Sequence, residues 1–466
     1  MSSVKRLSRA RAGAPAAAPV RIVHLGLGNF HRAHQAWYTA HAPDAAGWGI
    51  AAFTGRRPDA ADALAPQDGL YTLITRSAAG DDFEVVGAIA EVHPATAHDR
   101  FLDLLRRPEV AVITTTVTEA GYLLGPDQRL ADVEAVRTDV AALQGDHAAP
   151  VQTLPGRLVA GLLARRAAGA GPLTLLPCDN LPHNGEVVRT VVVDLAAQVD
   201  LSLVAWAEEH VDFASSMVDR ITPASTDGDR EAVERAQGYR DASPVPTEPF
   251  SEWVVSGTFP AGRPDWEAAG VRLVDDVGPA EQRKLWMLNG SHSLLAYAGS
   301  VRGHASIDAA VADPACRAWV ELLWDEAQRH LPVGAEEVRN YRAALLDRYA
   351  NPNIRHLLAQ IAADGSTKLA VRVLPPLRAE RAAGRLPLGG ATALAAWVLH
   401  LRGHGAPVKD VGAEPYVVAA GGDLATAVPA VLGLLDPALA ADEELVAAVV
   451  AQAAEVAAET DLVVGA

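Results

Sequence analysis

The chain has 466 residues, which is enough for two or three domains with a large hydrophobic core. Hydrophobic residues make up 50% and charged residues 21% of the chain, the balance of an ordinary soluble globular protein. The formal charge of −17 argues against binding to a phosphate backbone, and no apolar run approaches the roughly 20 residues of a membrane-spanning helix. We therefore expect neither nucleic acid nor a membrane as a partner.

Cysteine usage and the N-terminal segment bear on location. Cys178 and Cys316 are too few for a disulfide framework and form no paired zinc signature, so no metal is expected. Residues 1–19 contain no acidic residue and superficially resemble a transit peptide, but they lack the apolar region of a secretion signal. We expect a flexible tail over 1–19 and a cytoplasmic protein.

The stretch "VRIVHLGLGNFHRAH", which begins at Val20, predicts a strand, a glycine turn and a helix. Gly26 and Gly28 follow the strand, where glycines allow a tight turn and bring a pyrophosphate close to backbone N–H groups. The third glycine of the dinucleotide fingerprint is missing, and His31 stands in its place. Nucleotide binding is favoured over an ordinary strand–helix turn because this is the first such unit of the chain. Arg32 is expected either to neutralise phosphate charge or to be a solvated helix residue.

The stretch "TGRRPDA" follows the second predicted strand, where the ribose of a dinucleotide is usually bound. Asp59 can bind ribose hydroxyls, which favours NAD, whereas Arg56 and Arg57 can hold a 2′-phosphate, which favours NADP. An exposed polar turn is the third alternative. NAD is the preferred interpretation, and NADP stays possible. The residues predicted to bind the cofactor are Gly26, Gly28, Asn29, Phe30, Arg32 and Asp59.

Strand and helix patterns alternate along the first part of the chain. Apolar runs at 48–53, 110–117 and 172–180 predict buried parallel strands, and helical patterns lie between them. This alternation indicates an α/β doubly wound sheet, with residues 69–76 and 83–92 as an inserted hairpin. The C-terminal part is dominated instead by residues with a helical period. The predicted division is a Rossmann-type dinucleotide-binding domain over 20–277 and a mainly α-helical domain over 278–466, to which substrate binding is assigned only by the family resemblance given below.

The stretch "PCDNLPHNG" places polar side chains directly after the strand predicted around residue 175. Strands of an open parallel sheet deliver such residues to the ligand crevice. The amide of Asn180 can donate a hydrogen bond to a developing alkoxide there. A helix cap formed by Asn180 or Asp179 is an equally good alternative.

A single lysine interrupts the semi-apolar, helix-like stretch "EQRKLWMLNGSHS" at 281–293. The chain has only four lysines among its 40 basic residues, and an arginine would serve as a surface cation but not as a base. Apolar surroundings disfavour the ammonium form, so Lys284 can act as a general base. At about 100° per residue, Lys284, Asn289 and His292 fall at about 0°, 140° and 80° and can border one cleft. A satisfied core or surface histidine is the plainer alternative for His292.

Six motifs occur in one order between about residue 20 and beyond residue 370. They are VHLGLGNFHRAHQAWY, TEAGY, CDNLPHNG, MVDRITP, KLWMLNGSHSLLAYAG and RYANPNIRHLLAQIAADGSTKL. Together they resemble the polyol-specific long-chain dehydrogenases, the group of mannitol 2-dehydrogenase and fructuronate reductase. The resemblance implies zinc-independent hydride transfer between NAD(P) and a secondary alcohol or ketose, on a Rossmann-type domain followed by a largely helical one.

The resemblance also implies a role for each site residue. Lys284 is the general acid/base, and Glu281, one helical turn away, takes part in proton passage to solvent. Asn180 and Asn289 bind the oxyanion, and His292 orients the substrate. The residues implied to contact the substrate are Asp219 and Lys368.

One departure leaves the substrate open, because Gln360 stands where mannitol-type members are expected to have arginine. The D-mannitol/D-fructose type is preferred, and fructuronate (mannonate) or tagaturonate reduction is the alternative. A uronate needs a cation near its carboxylate, for which Arg372 and Arg348 are candidates, with a structural role as the plainer alternative for each. A catalytically silent NAD-binding sensor is the alternative from another class. A monomer or small homo-oligomer is expected.

Overall fold

The structure is a computed structural model that describes residues 4–354, 356–458 and 460. The chain divides into two compact units, one up to Gly278 and one from Pro279 onward. No helix among the described residues has both the length and the apolar character needed to cross a membrane.

The N-terminal unit contains the strands of the described chain. They are β1 (Val20–Leu25), β2 (Gly49–Phe53), β3 (Tyr71–Ser77), β4 (Gly80–Val86), β5 (Ile89–His93), β6 (Val112–Thr115), β7 (Leu173–Pro177), β8 (Val211–Phe213), β9 (Ser215–Asp219), β10 (Val245–Thr247), β11 (Glu252–Ser256) and β12 (Arg272–Leu273).

The helices of this unit lie between the strands. They are α1 (Arg9–Ala12), α2 (Asn29–Ala33), α3 (Gln35–His41), α4 (Asp59–Leu64), α5 (His98–Leu105), α6 (Glu134–Gly145), α7 (Leu154–Ala168), α8 (Asn184–Val199), α9 (Leu201–His210) and α10 (Asp227–Gln237), with short 3₁₀ turns at Ala45–Gly47, Ala65–Gln67, Glu119–Tyr122 and Trp266–Ala269.

A six-stranded parallel sheet forms the centre of the unit, in the order β5-β2-β1-β6-β7-β8. The chain builds outward from β1 to β2 and β5, and then crosses to β6 on the other side of β1, so the strand order reverses between β1 and β6. Successive side chains of β1 enter opposite cores: Val23 and Leu25 pack on one face and Ile22 on the other. The predicted α/β doubly wound fold is confirmed, and ligands of such sheets bind at this reversal.

The predicted hairpin is only half correct. The strands β3 and β4 pair in antiparallel fashion, and β10 extends them on the other side of β3. The run 83–92, however, is divided between two sheets: it supplies the end of β4 and then most of β5, which pairs in parallel with β2. Both halves satisfy a strand pattern, so only the pairing partner decides where the run is divided.

The described part of the N-terminal segment is packed against the unit, contrary to the flexible tail expected over 1–19. Leu7 is fully buried in a small apolar cluster with Leu70 and Val233. Its backbone N–H donates to the Arg240 carbonyl at 2.8 Å, and the Arg9 guanidinium donates to carbonyls of the β4–β5 connection. The composition of this segment does not indicate that Leu7 is buried.

The regular secondary structure described in the C-terminal unit is helical, apart from an isolated β-bridge between Ser306 and Leu357. Its α-helices are α11 (Gly278–Arg283), α12 (Gly290–Leu294), α13 (Ile307–Ala312), α14 (Pro314–Gln328), α15 (Ala335–Tyr349), α16 (Leu358–Ile361), α17 (Gly365–Arg372), α18 (Leu374–Ala382), α19 (Leu388–Leu401), α20 (Glu414–Ala419), α21 (Leu424–Leu435), α22 (Pro437–Ala440) and α23 (Glu443–Ala457), and its π-helical segments are Lys284–Asn289 and Leu295–Gly299.

The centre of this unit is α19, whose residues from Gly389 to Leu401 are all buried. It packs against α14 and α23, and a Cβ on Gly389 would overlap the backbone of Leu323 in α14. The glycine therefore permits the close approach of these two helices. A helix that is apolar on all sides is expected at the centre of a helical domain.

Candidate active site

The glycine turn lies where the strand order of the sheet reverses. Gly26 has a φ of +106°, and a Cβ there would overlap the carbonyl oxygen of Thr116, at the end of β6. Two backbone N–H groups of the turn, those of Gly26 and Leu27, donate to the Phe53 carbonyl at 2.9 Å. A Cβ on Gly28 would meet nothing closer than 3.7 Å, so the protein's own packing does not require that glycine. A glycine at this position lets a pyrophosphate approach the backbone closely, so the turn fits a dinucleotide.

The predicted helix after this turn is short and interrupted. The helix α2 ends at Ala33, and α3 begins after His34, whose backbone is not helical. Asn29 donates to the Pro223 carbonyl at 3.0 Å and accepts from the Arg32 guanidinium at 2.6 Å. Phe30 stacks on His34 with ring centroids 5.0 Å apart.

Arg32 is not the solvated helix residue of one of its two sequence-based interpretations. It is 2% exposed, so it is not a solvated helix residue. Its guanidinium donates to Asn29, to the Gly28 carbonyl and to the backbone and hydroxyl of Ser243. Arg32 thus holds the turn from inside the protein, and its role toward the phosphate charge of the cofactor stays a prediction.

Asp59, the residue predicted to bind the ribose, lies on the surface beside Arg57. Asp59 begins α4, six residues after the end of β2, and its side chain is 72% exposed. Its carboxylate lies 3.4 Å from Nε of Arg57, which is also exposed. A pair so exposed is worth little energetically, so it leaves both side chains available to a ribose or a 2′-phosphate. Contact of Asp59 with the cofactor stays a prediction.

The side chain of Asp179 fixes the end of β7. Its carboxylate accepts from the Thr115 hydroxyl at 2.8 Å, from the Val117 backbone N–H and from the Tyr122 hydroxyl. Burial raises the pKa of Asp179 to about 6, against the opposing effect of these three donors. Asp179 therefore connects the "TEAGY" segment to the strand end that carries Asn180. Both motifs are visible in the sequence, but no local pattern pairs them.

Asn180 lies in the exposed turn directly after β7. It is not a helix cap, because α8 begins four residues later with His183 at the cap position. The buried side chain here is Asn184, which donates to the carbonyls of Asp179 and Ser216 and accepts from the Ser216 N–H. The capping interpretation is wrong, and the role of Asn180 as an oxyanion donor stays a prediction.

Asp219 is the last residue of β9 and is 4% exposed. It is paired in register with Glu252 of β11. The next residue, Arg220, donates to the Ala33 and Glu248 carbonyls and so connects the end of β9 to α2. The contact of Asp219 with substrate stays a prediction.

The helix that carries Lys284 is wound differently from the expected α-helix. Residues Lys284–Asn289 form a π-helical segment, in which the Gly290 N–H donates to the Leu285 carbonyl five residues back. In an α-helix Lys284 and Asn289 would be about 140° apart around the axis. In a π-helix, residues that are five positions apart are joined by a backbone hydrogen bond and are separated by about one turn. His292 follows on α12, three residues after Asn289 and thus on a neighbouring face position.

Side chains from two other helices hold this π-helical segment. The Met287 carbonyl accepts from the Trp324 indole N–H at 2.9 Å and from the Ser291 hydroxyl. The Leu288 carbonyl accepts from Ser291 at 3.1 Å and from the Tyr349 hydroxyl at 3.3 Å. These side chains add donors to two carbonyls of the irregularly wound segment. The residues that shape the segment therefore lie up to 61 positions away in the sequence.

His292 is buried among cations. Its ring lies 5.1 Å from that of Tyr349 and 5.0 Å from that of His356. Burial, followed by the charges of His356, Arg348, Arg372 and Lys284, lowers the pKa of His292 well below its usual value. The imidazole is consequently neutral at physiological pH and can act as a hydrogen-bond donor or acceptor.

The other predicted substrate residues of this unit have structural contacts. Lys368 donates to the Ala363 carbonyl at 2.6 Å, and Arg372 donates to the Ser293 hydroxyl at 3.3 Å. Glu281 is half-buried on α11, and Gln360 is exposed on α16. The catalytic and substrate-binding roles of these residues stay predictions.

Among the described residues, no group of three His, Cys, Asp or Glu side chains is placed to hold a metal ion. The strand order and the glycine turn define the N-terminal unit as a dinucleotide-binding domain. The C-terminal unit adds a lysine, an amide and a neutral imidazole along one helix. The class of protein is therefore a dinucleotide-dependent dehydrogenase.

Comparison with known proteins identifies the family. Residues 20–268 match the model of the mannitol dehydrogenase Rossmann domain, and residues 276–463 match that of the mannitol dehydrogenase C-terminal domain. The chain belongs to the mannitol dehydrogenase family and is a polyol or sugar-acid dehydrogenase, as the resemblance implied.

Three relatives illustrate the range of the family. The uncharacterized oxidoreductase YdfI of Escherichia coli is 41% identical over 370 residues, covering 77% of this chain and 74% of that protein. The D-mannonate oxidoreductase of the same organism is 36% identical over 397 residues, covering 82% and 80%. The structure of Pseudomonas fluorescens mannitol 2-dehydrogenase, a ternary complex with NAD and D-mannitol, superposes with a TM-score of 0.78 at 32% identity and covers 97% of this chain and 94% of that one.

Proposed function

We propose that this chain transfers hydride between NAD(H) and the secondary alcohol or ketone of an open-chain polyol or sugar acid, without zinc. The observation that carries the proposal is the π-helical segment, which begins at Lys284, ends at Asn289 and is followed by the neutral His292. The ternary complex of the Pseudomonas relative supports NAD as the cofactor.

Each proposed step needs a group of the type that the chain provides. The neutral amine of Lys284 accepts the hydroxyl proton in oxidation and returns it in reduction, with Glu281 passing it toward solvent. The amides of Asn289 and Asn180 donate hydrogen bonds to the developing alkoxide, and His292 orients the hydroxyl. Bound NAD supplies the hydride acceptor. Asp219, Lys368 and Arg372 keep their proposed role as substrate contacts.

We propose two substrate types in order. A hexitol–ketohexose pair of the D-mannitol/D-fructose type stands first, supported by the mannitol bound in the Pseudomonas relative. A sugar acid such as mannonate, or tagaturonate, stands second. It is supported by the name of the E. coli relative and by the cationic groups of Arg348 and Arg372, whose charges reach His292.

A cofactor-coupled substrate screen tests the proposal. Mannitol, arabinitol, sorbitol, fructose, fructuronate and tagaturonate are assayed by NADH absorbance, with NAD and NADP in parallel. We expect turnover of at least one substrate, with a higher kcat/KM for NAD than for NADP. Tight NADH binding with no turnover of any substrate would instead identify a silent sensor.

A further inference from the structure

Two histidines face each other beneath the glycine turn. His24 of β1 and His31 of α2 are fully buried, with parallel rings whose centroids are 3.3 Å apart. His31 occupies the position of the third fingerprint glycine, whose usual purpose is close packing of the helix on the strand. A flat ring stacked on a flat ring achieves a comparably close approach, which accounts for the departure from the fingerprint.

Hydrogen bonds from His24 reach both sides of the turn. Its Nδ1 lies 2.8 Å from the Thr114 hydroxyl and its Nε2 lies 3.0 Å from the Thr116 hydroxyl. The Thr116 hydroxyl in turn donates to the Gly26 carbonyl at 2.8 Å. His24 thus connects β1, β6 and the first residue of the turn.

The direction of each bond follows from the number of protons. A carbonyl only accepts, so the single hydroxyl proton of Thr116 points to Gly26, and Thr116 accepts from His24. Nε2 of His24 therefore carries a proton. Burial lowers the pKa of His24 to about 3, so the ring is neutral and Nδ1 accepts from Thr114.

We propose that His24 is fixed as its Nε2–H tautomer, and that the chain of hydrogen bonds from Thr114 through His24 and Thr116 to the Gly26 carbonyl positions the turn for the cofactor. His24, His31 and Thr116 are positioning residues, since they act through the backbone of the turn. The binding part of this proposal rests on the proposed use of NAD(H), whereas the tautomer does not.

The tautomer is measured directly in the full chain with ¹⁵N-labelled histidine. The His24 signals are assigned by their loss in His24→Asn. We expect a proton on Nε2, none on Nδ1, and no titration between about pH 5 and 8. A proton on Nδ1, or titration within that range, overturns the hydrogen-bond chain.

The role in cofactor binding is tested by NADH fluorescence titration. Thr116→Val keeps the shape of the side chain and removes its hydroxyl, so we expect the Kd for NADH to rise about tenfold. Thr116→Ser retains the hydroxyl and is expected to restore affinity to within about twofold of wild type. An unchanged Kd in the valine variant, or equal weakening in both, overturns the positioning role.

A control separates positioning from general destabilisation. Thr392→Val removes a buried hydroxyl in α19, which donates to the Leu388 carbonyl at 2.7 Å. It is expected to lower the melting temperature as Thr116→Val does and to leave the Kd for NADH unchanged. Equal loss of affinity in the two valine variants overturns the proposal. A wild-type chain that binds no NADH overturns the proposed function and the binding part of this inference, whereas an Nδ1-protonated His24 overturns the tautomer alone.

Discussion

Lys284 carries the proposed proton transfer and lies half-buried at the start of the π-helical segment, beside the buried Trp286 and Met287. Its sequence context predicted apolar surroundings, and the desolvation of its amine stays a prediction. The neighbouring Arg283 has a different task, because it is buried and forms an ion pair with Glu337 of α15. The two adjacent basic residues differ in kind, because an arginine stays charged whereas the pKa of a lysine shifts readily on burial.

Replacing Lys284 by alanine removes the proposed base. We expect turnover to fall on the order of 10²–10⁴-fold, the usual contribution of a positioned general base. The Kd for NADH should stay nearly unchanged, because the glycine turn belongs to the other unit. Steady-state kinetics and NADH titration measure the two effects separately.

Lys284→Arg is the matched control for charge. Arginine keeps the cation but cannot release its proton, so this variant should lose activity as the alanine variant does. Recovery of substantial turnover with arginine would mean that charge, not proton transfer, is what the lysine supplies. A parallel loss of NADH affinity would mean that its role is structural.

At the scale of elements, side chains of α14 and α15 donate hydrogen bonds to the π-helical segment between α11 and α12. The hydroxyl of Tyr349 lies 2.7 Å from that of Ser291 and donates to the Leu288 carbonyl, within the segment that runs from Lys284 to Asn289. The geometry of the proposed site therefore depends on a tyrosine that is not in any of its predicted residue sets.

Tyr349→Phe keeps the ring and removes this hydroxyl. We expect kcat to fall several-fold while the Kd for NADH stays constant, because the π-helical carbonyls lose one donor worth about 1 kcal/mol. Tyr416→Phe is the control, since it removes an exposed tyrosine–carbonyl bond of 3.3 Å elsewhere in the unit. Unchanged kcat in the Tyr349 variant would show that the winding does not need this bond.

The start of α19 depends on one carboxylate. Glu326 of α14 accepts from the backbone N–H groups of Gly389 and Gly390 at 2.7 and 2.9 Å. Both donors are buried, and the first turn of a helix has no partners for them within the helix. Glu326 therefore connects the two central helices of the unit.

Glu326→Ala leaves these N–H groups unpaired. We expect a loss of about 1–3 kcal/mol in the free energy of unfolding, measured by urea denaturation. Glu326→Gln retains one acceptor and should cost less. Equal stability of the alanine variant and the wild type would contradict the capping role.

The same carboxylate gives a pH dependence of stability. Burial raises the pKa of Glu326 to about 7, against the opposing effect of the two N–H donors. The folded state then holds the proton more tightly than the unfolded state, so stability falls as pH rises from about 4.5 through about 7. Relative to Glu326→Gln, the wild type should lose stability across this range, which melting curves at several pH values measure. A constant difference would contradict the raised pKa.

At the scale of the whole molecule, the two units contain different parts of the proposed machinery. The N-terminal unit has the sheet and turn of a dinucleotide-binding domain, and the C-terminal unit contributes the lysine helix. In the part of the chain that the structure describes, neither brings three metal-ligating side chains together. The proposed mechanism assigns to amine and amide groups the stabilisation that a Lewis acid gives in other enzymes.

Prolonged dialysis against a chelator should therefore leave kcat and the melting temperature unchanged. The physical reason is that the proposed mechanism assigns the proton transfer to Lys284 and the charge stabilisation to the amides of Asn180 and Asn289. Activity is compared before and after dialysis, with and without added zinc. Loss of activity that zinc restores would contradict the zinc-free mechanism.

The sequence by itself determined the α/β class, the strands at β1, β2, β6 and β7, and the helices of the C-terminal part. These follow from hydrophobic periodicity and glycine placement, which are local properties. The glycine turn was predicted and Lys284 was proposed as the base for the same reason: each is marked by residues within a few positions of it.

Only the tertiary structure decided the details that position these groups. The stacking of His24 on His31, the burial of Arg32, the bonds from Asp179 to Tyr122 and the winding at Lys284 all depend on partners that come together through folding. The π-helical segment is the clearest case, since Trp324 and Tyr349 satisfy its carbonyls from two other helices. A periodic pattern records which face of an element is apolar, but it does not record which distant polar group will meet an unpaired carbonyl.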